Sequence, residues 1–316
     1  MKSGFVSFLG RPNAGKSTLL NRIVGQKLAI VSDKPQTTRT RVVGVKNYES
    51  AGQVVFVDTP GVHKPTHRMN VRMVDVALEA MRQVDVLCLV VDAAAFGKGP
   101  RVRQRPESER GSGAAGSGDQ YMLDLLKDVQ TPAILALNKV DLIAKNRLLP
   151  IIEHYRSAHA FVEFVPVSAA DGTNVEALEQ LFLQYLPEGA PLYPPEYLTD
   201  QTDRFFVAEI VREQVLRVTR EELPHSTAVI VDQFDESDPG LLKLYCTILV
   251  ERESQKPIVV GKGGAMIKEI GTKARLELMH HFERKIYLDL HVKVKSEWRN
   301  DDRLLDEMGI ERQGGN

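Results

Sequence analysis

The 316-residue sequence predicts an α/β protein, a doubly wound sheet followed by a smaller α+β unit. Three observations predict it. The apolar run Phe5–Leu9 leads directly into a glycine-rich loop, behind which Leu19, Leu20, Ile23 and Val24 recur at helical spacing. Strand-like and helix-like segments then alternate from Gly4 to Leu186, the order that builds a parallel sheet with helices on both faces. Four prolines, Pro187, Pro191, Pro194 and Pro195, close that stretch, and beyond them come a helix, a hairpin and a second glycine-rich loop.

The first loop, Gly10-Arg11-Pro12-Asn13-Ala14-Gly15-Lys16-Ser17, has the spacing of a phosphate cradle. Its glycines let backbone N–H groups wrap an anion, and the helix that opens near Gly15 adds the positive end of its dipole. Lys16 is placed to reach β- and γ-phosphates and Ser17 to hold Mg²⁺, with Thr18 completing the nucleotide-lining stretch. Alone, such a match is also what an ordinary glycine-rich turn looks like; the strand before it and the helix after it favour the cradle. Next, the hydroxyl-rich segment Ser32–Thr40 reads as a solvated loop or, after a phosphate loop, as a switch whose threonine joins the Mg²⁺ shell when a γ-phosphate is present. Thr38 is the expected ligand and Thr37 the alternative.

Two runs, Arg41–Lys46 and Gln53–Val57, form a hairpin pair around Ser50-Ala51-Gly52. The second ends in Asp58-Thr59-Pro60-Gly61, which delivers a carboxylate beside the phosphates to orient Mg²⁺ through a water, while Gly61 can turn its N–H toward a γ-phosphate. Farther on, the buried-type strand Ala133–Leu137 precedes Asn138-Lys139-Val140-Asp141. Asp141 can accept from both N1–H and the N2 amine of guanine, and sites built on such paired bonds reject analogues lacking them by roughly 10⁴–10⁵. The expected base is guanine. Ser168-Ala169, after the strand Phe164–Val167, is placed to close over it through the backbone.

These five elements, Gly10–Ser17, Gln36–Thr40, Asp58–Gly61, Asn138–Asp141 and Ser168–Ala169, resemble the nucleotide boxes of the translation-factor-related GTPases, and the forms Gly-Arg-Pro-Asn-Ala-Gly-Lys-Ser and Gln-Thr-Thr-Arg are similar to those of the Era family. The resemblance implies GTP hydrolysis, with Lys16, Thr38 and Gly61 in catalytic roles and Mg²⁺ held by Ser17, Thr38 and, through water, Asp58. Val62 stands where Ras-like enzymes carry a water-orienting glutamine, so slow intrinsic hydrolysis is expected. Resemblance to potassium-activated GTPases gives Asn13 a second reading, as a K⁺ ligand, beside that of a local loop cap. One stretch departs from the family: about residues 96–118 are rich in Gly, Ser and Arg without apolar period and are expected to be a disordered insertion. Arg101, Arg103, Arg105 and Arg110 within it are read as solvated rather than RNA-binding.

The predicted domains are therefore 1–186, a proline-rich linker at 187–199, and 200–316. The last opens on an amphipathic helix with Phe206, Ile210, Val211, Val215 and Val218, followed by strands Ala228–Phe234 and Leu244–Glu251 around Asp238-Pro239-Gly240. Ile258-Val259-Val260 reads as a strand leading into Gly261-Lys262-Gly263-Gly264 and a helix whose Ile267, Ile270 and Ala274 share a face. With the strand Lys285–Val294 behind it, this resembles a KH module of type II, in which the loop approaches the sugar-phosphates of about four nucleotides. Lys262 and Lys268 are the side chains available to phosphate there. Met279 and Phe282 are read as packing under the sheet and Trp298 as a core or interdomain anchor rather than a base-stacking platform, and His280 and His281 lack a ligand cluster at metal spacing.

A formal net charge of −1 implies no global polyanion tether, so any nucleic-acid surface is a local patch. Cys88 and Cys246, far apart in apolar runs, are expected to be buried reduced thiols. There is no signal-peptide pattern and no run of about 18 apolar residues, so a soluble cytoplasmic protein is expected, with peripheral contact at the inner face of the membrane left open; a monomer is expected. The paired resemblance implies a GTPase that binds the 3′ region of 16S rRNA and assists 30S subunit assembly and rRNA maturation. The rivals are an RNA-binding scaffold with a merely structural nucleotide site, and a GTPase acting on tRNA or a membrane.

Overall fold

The computed structural model describes residues 1–34, 36–61, 67–96, 117–127, 129–219 and 223–310. Contacts divide the chain into two units, one of Met1–Ala29, Thr38–Lys64 and Met73–Asp200, the other of Ile30–Thr37, Pro65–Arg72 and Gln201–Asn316.

In the first unit, β1 (Lys2–Leu9) leads through the glycine loop into α1 (Lys16–Val24). The hairpin β2 (Val42–Tyr48) and β3 (Gly52–Asp58) follows, then α2 (Arg68–Arg82), β4 (Val86–Asp92), α3 (Ser117–Leu126), β5 (Ala133–Asn138), α4 (Leu148–Ala158), β6 (Glu163–Pro166) and α5 (Val175–Tyr185). Strand order is β2-β3-β1-β4-β5-β6, antiparallel only between β2 and β3. The central strands are apolar at nearly every position because helices cover both faces. One face is filled by Val6, Phe8, Leu19, Ile23, Phe56 and Phe182 under α1 and α5, where the Phe8 and Phe56 rings stack at 5.6 Å. The other is filled by Leu87, Leu89, Leu135 and Leu137 against Met81, Met122, Ile151 and Tyr155 of α2, α3 and α4. This construction brings the ends of the parallel strands β1, β3, β4 and β5 out at one edge, where the loops carrying the chemistry emerge.

The proline-rich stretch lies along the hairpin. Gln53 accepts from the N–H groups of Leu192 and Tyr193, the Leu198 carbonyl accepts from Val45 N, and the Thr199 hydroxyl donates to Val43 O. The expected insertion at about 96–118 falls mostly outside the described residues, as do Val62, Arg101, Arg103, Arg105 and Arg110. Helix α3 begins at Ser117, at the far end of that stretch.

The second unit contains α6 (Asp203–Val218), the short α7 (Leu223–Ser226), β7 (Ala228–Asp238), β8 (Leu241–Val250), α8 (Lys256–Val260), α9 (Ala265–Phe282), β9 (Lys285–Val294) and α10 (Asp302–Glu307). Its sheet runs β7-β8-β9, with β7 antiparallel and β9 parallel to β8. Leu242, Leu244, Cys246 and Ile248 of β8 pack against Ile210 and Val211 of α6 and Ile270, Ala274 and Leu278 of α9. Trp298 is fully buried and its indole N–H donates to Ser226 O at 2.9 Å. Met279 and Phe282 pack at the margin of this core.

Two expectations change here. Ile258-Val259-Val260 is helical, not a strand: Pro257, the second residue of the first helical turn, pre-sets φ for a helix, and the five-residue α8 then stops at Gly261. The first helix of the unit is also less amphipathic than its apolar spacing suggests, since Arg212, Glu213 and Gln214 are buried along with the apolar positions. They are paired inside the unit: Arg212 with Glu209 and the Thr37 carbonyl, Glu213 with Val31 N at 2.9 Å, and Gln214 with Glu277 at 3.1 Å.

Candidate functional site

The phosphate side is built from three chain segments that end at one place. Gly10 and Gly15 hold φ of +145° and +97°, and Asn13 between them is left-handed at +65°. An added Cβ would stand 2.3 Å from the Val90 carbonyl oxygen at Gly10 and 2.2 Å from Asn138 Nδ2 at Gly15, so packing as well as conformation excludes a side chain. Lys16, 5% exposed, donates to the carbonyls of Gly10 and Arg11 at 3.1 and 3.2 Å. Ser17 Oγ lies 2.8 Å from Thr38 Oγ1 and donates to Asp58 Oδ2 at 2.6 Å. The Thr38 hydroxyl also faces Asp58 Oδ2, at 3.4 Å. Ser17, Thr38 and Asp58 are thus brought together, and among the described residues no hydrogen-bond partner reaches the buried Asp58 Oδ1.

Burial sets the electrostatics. It pushes the Asp58 carboxyl above its ordinary range, against the pull of Lys16 and the two hydroxyls, and holds Lys16 below its ordinary value, against the pull of Asp58. A carboxyl and an amine therefore share a desolvated site that disfavours charge on either, the kind of site a ligand bringing both anionic oxygens and a cation would relieve. Thr59 anchors the end of β3 by donating to Phe8 O at 2.7 Å. Gly61 passes so close to the loop that its Cβ would lie 2.7 Å from Pro12 N.

The other side of the site hangs on Asn138. Its Nδ2 donates to Ala14 O at 2.8 Å and its Oδ1 accepts from Ala169 N at 2.9 Å, so one buried amide ties the phosphate loop to the Ser168-Ala169 turn. Lys139 donates to Asn13 O, and Asp141 is exposed in the turn that follows. Ser168 is buried, its N–H donating to Thr173 O. Arg22 on α1 donates to the carbonyls of Ala169 and Ala170, a brace that sequence pattern does not announce.

In the second unit, Gly261, Gly263 and Gly264 hold φ of +75°, +59° and +80° between α8 and α9. Nothing lies within 4 Å of a Cβ built at Gly263 or Gly264, and Lys262 and Lys268 are both exposed beside that opening.

A family model described as 50S ribosome-binding GTPase matches residues 5–139, and a KH domain model matches residues 222–299. GTPase Era of Geobacter sp. (strain M21) is 46% identical over 310 residues, 98% of each chain. The chain is a GTPase of the Era family. Two solved Era structures superpose on it: an Aquifex aeolicus variant bound to GDP·AlF₄⁻ (37% identity, TM-score 0.88, covering 98% of this chain and 100% of that one), and Era in complex with MgGDPNP and nucleotides 1506–1542 of 16S ribosomal RNA (38% identity, TM-score 0.89, covering 98% and 99%). The Era fold, a GTPase sheet and a KH domain, is the architecture described above.

Beside the predicted residues, this Era-family site draws on several that sequence reading missed. Asp92 pairs with Lys139, Asp119 on α3 pairs with Arg11 at 3.2 Å, and Arg22 holds the Ala169 turn. Each is a lone charge at a strand end or on a helix, with no motif around it. Among the described residues no group of three or more His, Cys, Asp or Glu is arranged for a metal ion. The oxygens of Ser17, Thr38 and Asp58 are instead a hard-donor set of the kind Mg²⁺ takes when phosphates complete its shell.

Proposed function

We propose that this GTPase is a nucleotide-controlled grip on ribosomal RNA, binding the 3′ region of 16S rRNA through its KH domain and assisting 30S assembly and rRNA maturation. The meeting of Ser17, Thr38 and Asp58 carries the nucleotide half of the reading, because it joins the phosphate loop, the switch segment and the end of β3 at one hydrogen-bonded point. For the RNA half, the open left-handed loop with Lys262 and Lys268 is the support, together with the 16S rRNA held by a solved Era that spans the whole chain.

In this reading Gly10–Thr18 wrap the phosphates, with Lys16 donating to the β- and γ-oxygens and Thr59 and Pro60 shaping the turn that aims Gly61 N–H at the γ-phosphate. Ser17 and Thr38 would bind Mg²⁺ directly and Asp58 through water, which the buried Asp58 Oδ1, without a partner among the described residues, is free to hold. When bound, the metal neutralises charge on the transferring phosphoryl group. Resemblance to potassium-activated GTPases gives Asn13 the role of a K⁺ ligand at the same edge, beside its other reading as a local loop cap. Asp141 reads guanine, Asn138 and Lys139 fix the loop that presents it, and Ser168 and Ala169 close over the base. Position 62, a valine, has no side-chain donor for water, so intrinsic turnover is slow. The proposed domains are 1–186 and 200–316 with the linker 187–199. The setting is a monomer in the cytoplasm, with peripheral contact at the inner membrane face left open; among the described residues no helix is long and apolar enough to cross a membrane.

Nucleotide state would set RNA access by reorganising Gln36–Thr40 and Asp58–Val62 against the KH domain. Crosslinking the purified protein to total RNA with and without a GTP analogue tests the whole. Enrichment of the 16S 3′ region that depends on the analogue is the expected result; equal capture with analogue and GDP, or enrichment of tRNA, would overturn it.

A further inference from the structure

β4 ends on Asp92, and its parallel neighbour β5 ends on Asn138, directly across from it. This register puts the two strands' next residues side by side. Asp92 divides its carboxylate between two tasks. Oδ1 accepts from Ala94 N and Ala95 N at 2.9 and 3.1 Å, the Asx turn that ends the strand. Oδ2 accepts from Lys139 Nζ at 2.7 Å, and the same ammonium donates to the Asn13 carbonyl at 2.7 Å.

Lys139 is therefore strung between a carboxylate and the phosphate loop. Its backbone is left-handed at φ +65°, a conformation that a non-glycine residue keeps only where its surroundings impose it. The pair is largely sheltered, with the side chains 30% and 23% exposed, so solvent screens it less than an ion pair in open water. A turn cap needs one oxygen only. The aim of the second at Lys139 is what the turn leaves unexplained.

We infer that Asp92 is a positioning residue for guanine-nucleotide retention, holding Lys139 across to Asn13 and so keeping the base-side segment Asn138–Asp141 in register with the phosphate loop. This deepens the proposed function and rests on its assignment of that segment to the base. Without the Asp92 charge the ammonium is free to reorient and the tether at Asn13 slackens. Nucleotide leaves faster, while the bonds of Lys16 to the Gly10 and Arg11 carbonyls and of Thr38 to Asp58, none of which runs through Asp92 or Lys139, are undisturbed.

The test measures release of a fluorescent GDP analogue from the full-length protein by stopped flow, and single-turnover hydrolysis at saturating GTP. Asp92→Asn keeps an oxygen for the turn and removes the charge. Release is expected to speed up roughly tenfold, the worth of one charge-assisted hydrogen bond, with single-turnover hydrolysis unchanged. In a Lys139→Met background the same substitution should add nothing. Unchanged release, equal acceleration in both backgrounds, or slower hydrolysis with normal release would each overturn the inference. If Asp92→Asn melts early, Asp92→Ser, which caps the turn without charge, carries the same expectations. A parent protein that fails to retain GDP would sink the proposed function instead.

Discussion

The two glycine-rich loops use the same backbone conformation for different reasons. In the phosphate loop, a Cβ at Gly10 or Gly15 would collide with the Val90 carbonyl or the Asn138 amide. In the KH loop only Gly261 is crowded, by Met266 at 2.6 Å, whereas Gly263 and Gly264 face open space. The first loop is thus moulded by the protein around it, and the second is held by its own glycines and left accessible. A loop that must enclose small phosphates gains from rigid packing, while one that must let a long polymer approach gains from empty surroundings.

Gly15→Ala should break this contrast most severely. The new methyl displaces the Asn138 side chain, leaving Ala14 O and the Asn138 amide unpaired at about 1–3 kcal/mol each. The left-handed backbone costs a non-glycine residue about 1–2 kcal/mol more. Together these predict a loss of nucleotide affinity above roughly 100-fold, read by titration with a fluorescent guanine nucleotide. Parent-like affinity would mean that the loop is not moulded by Asn138 at all.

Gly264→Ala should do much less. With nothing within 4 Å of the added carbon, only the φ of +80° is penalised, at about 1–2 kcal/mol. Denaturant unfolding should show that loss for the transition of the second unit, with guanine-nucleotide affinity unchanged. Gly264→Asp adds a negative charge to the same opening and should weaken RNA binding well beyond the alanine variant, again sparing nucleotide affinity. If both variants bind RNA like the parent, the open loop is not where RNA approaches.

How far the sequence made this contrast legible depends on the range of the interactions involved. Strand-loop-helix order around Gly10–Ser17, and the apolar runs that end at Asp58 and Asn138, are local patterns, and the structure places Ser17, Thr38 and Asp58 within hydrogen-bond reach of one another. Ile258-Val259-Val260 misled because a short apolar, β-branched run fits a buried strand and a buried helix equally well; Pro257 was the informative residue. Buried Arg212, Glu213 and Gln214 were not foreseeable, since their partners Thr37, Val31 and Glu277 come from elsewhere in the chain. Asp92 was hidden for the same reason, its link to Lys139 existing only once β4 and β5 are in parallel register.

The smallest effect concerns the basic residue of each loop. Lys262 is exposed in the KH loop, whereas Arg11 in the phosphate loop pairs with Asp119 in the first turn of α3. Burial pushes the Asp119 carboxyl above its ordinary range, and the neighbouring Arg11 offsets this only in part. A carboxyl whose folded pKa is raised binds its proton more tightly in the native state, so its contribution to stability is greatest at acid pH and declines as pH climbs from the ordinary carboxylate range through the raised value. Asn at this position cannot ionise. Asp119→Asn should therefore melt with the parent at the acid end, then pull above it across that window and keep a constant, small lead at neutral pH. Parent and variant melts compared at matched pH decide the matter. A parent that melts higher at neutral pH would show the Arg11 pair outweighing burial, and the phosphate loop would then be held by charge as well as by packing.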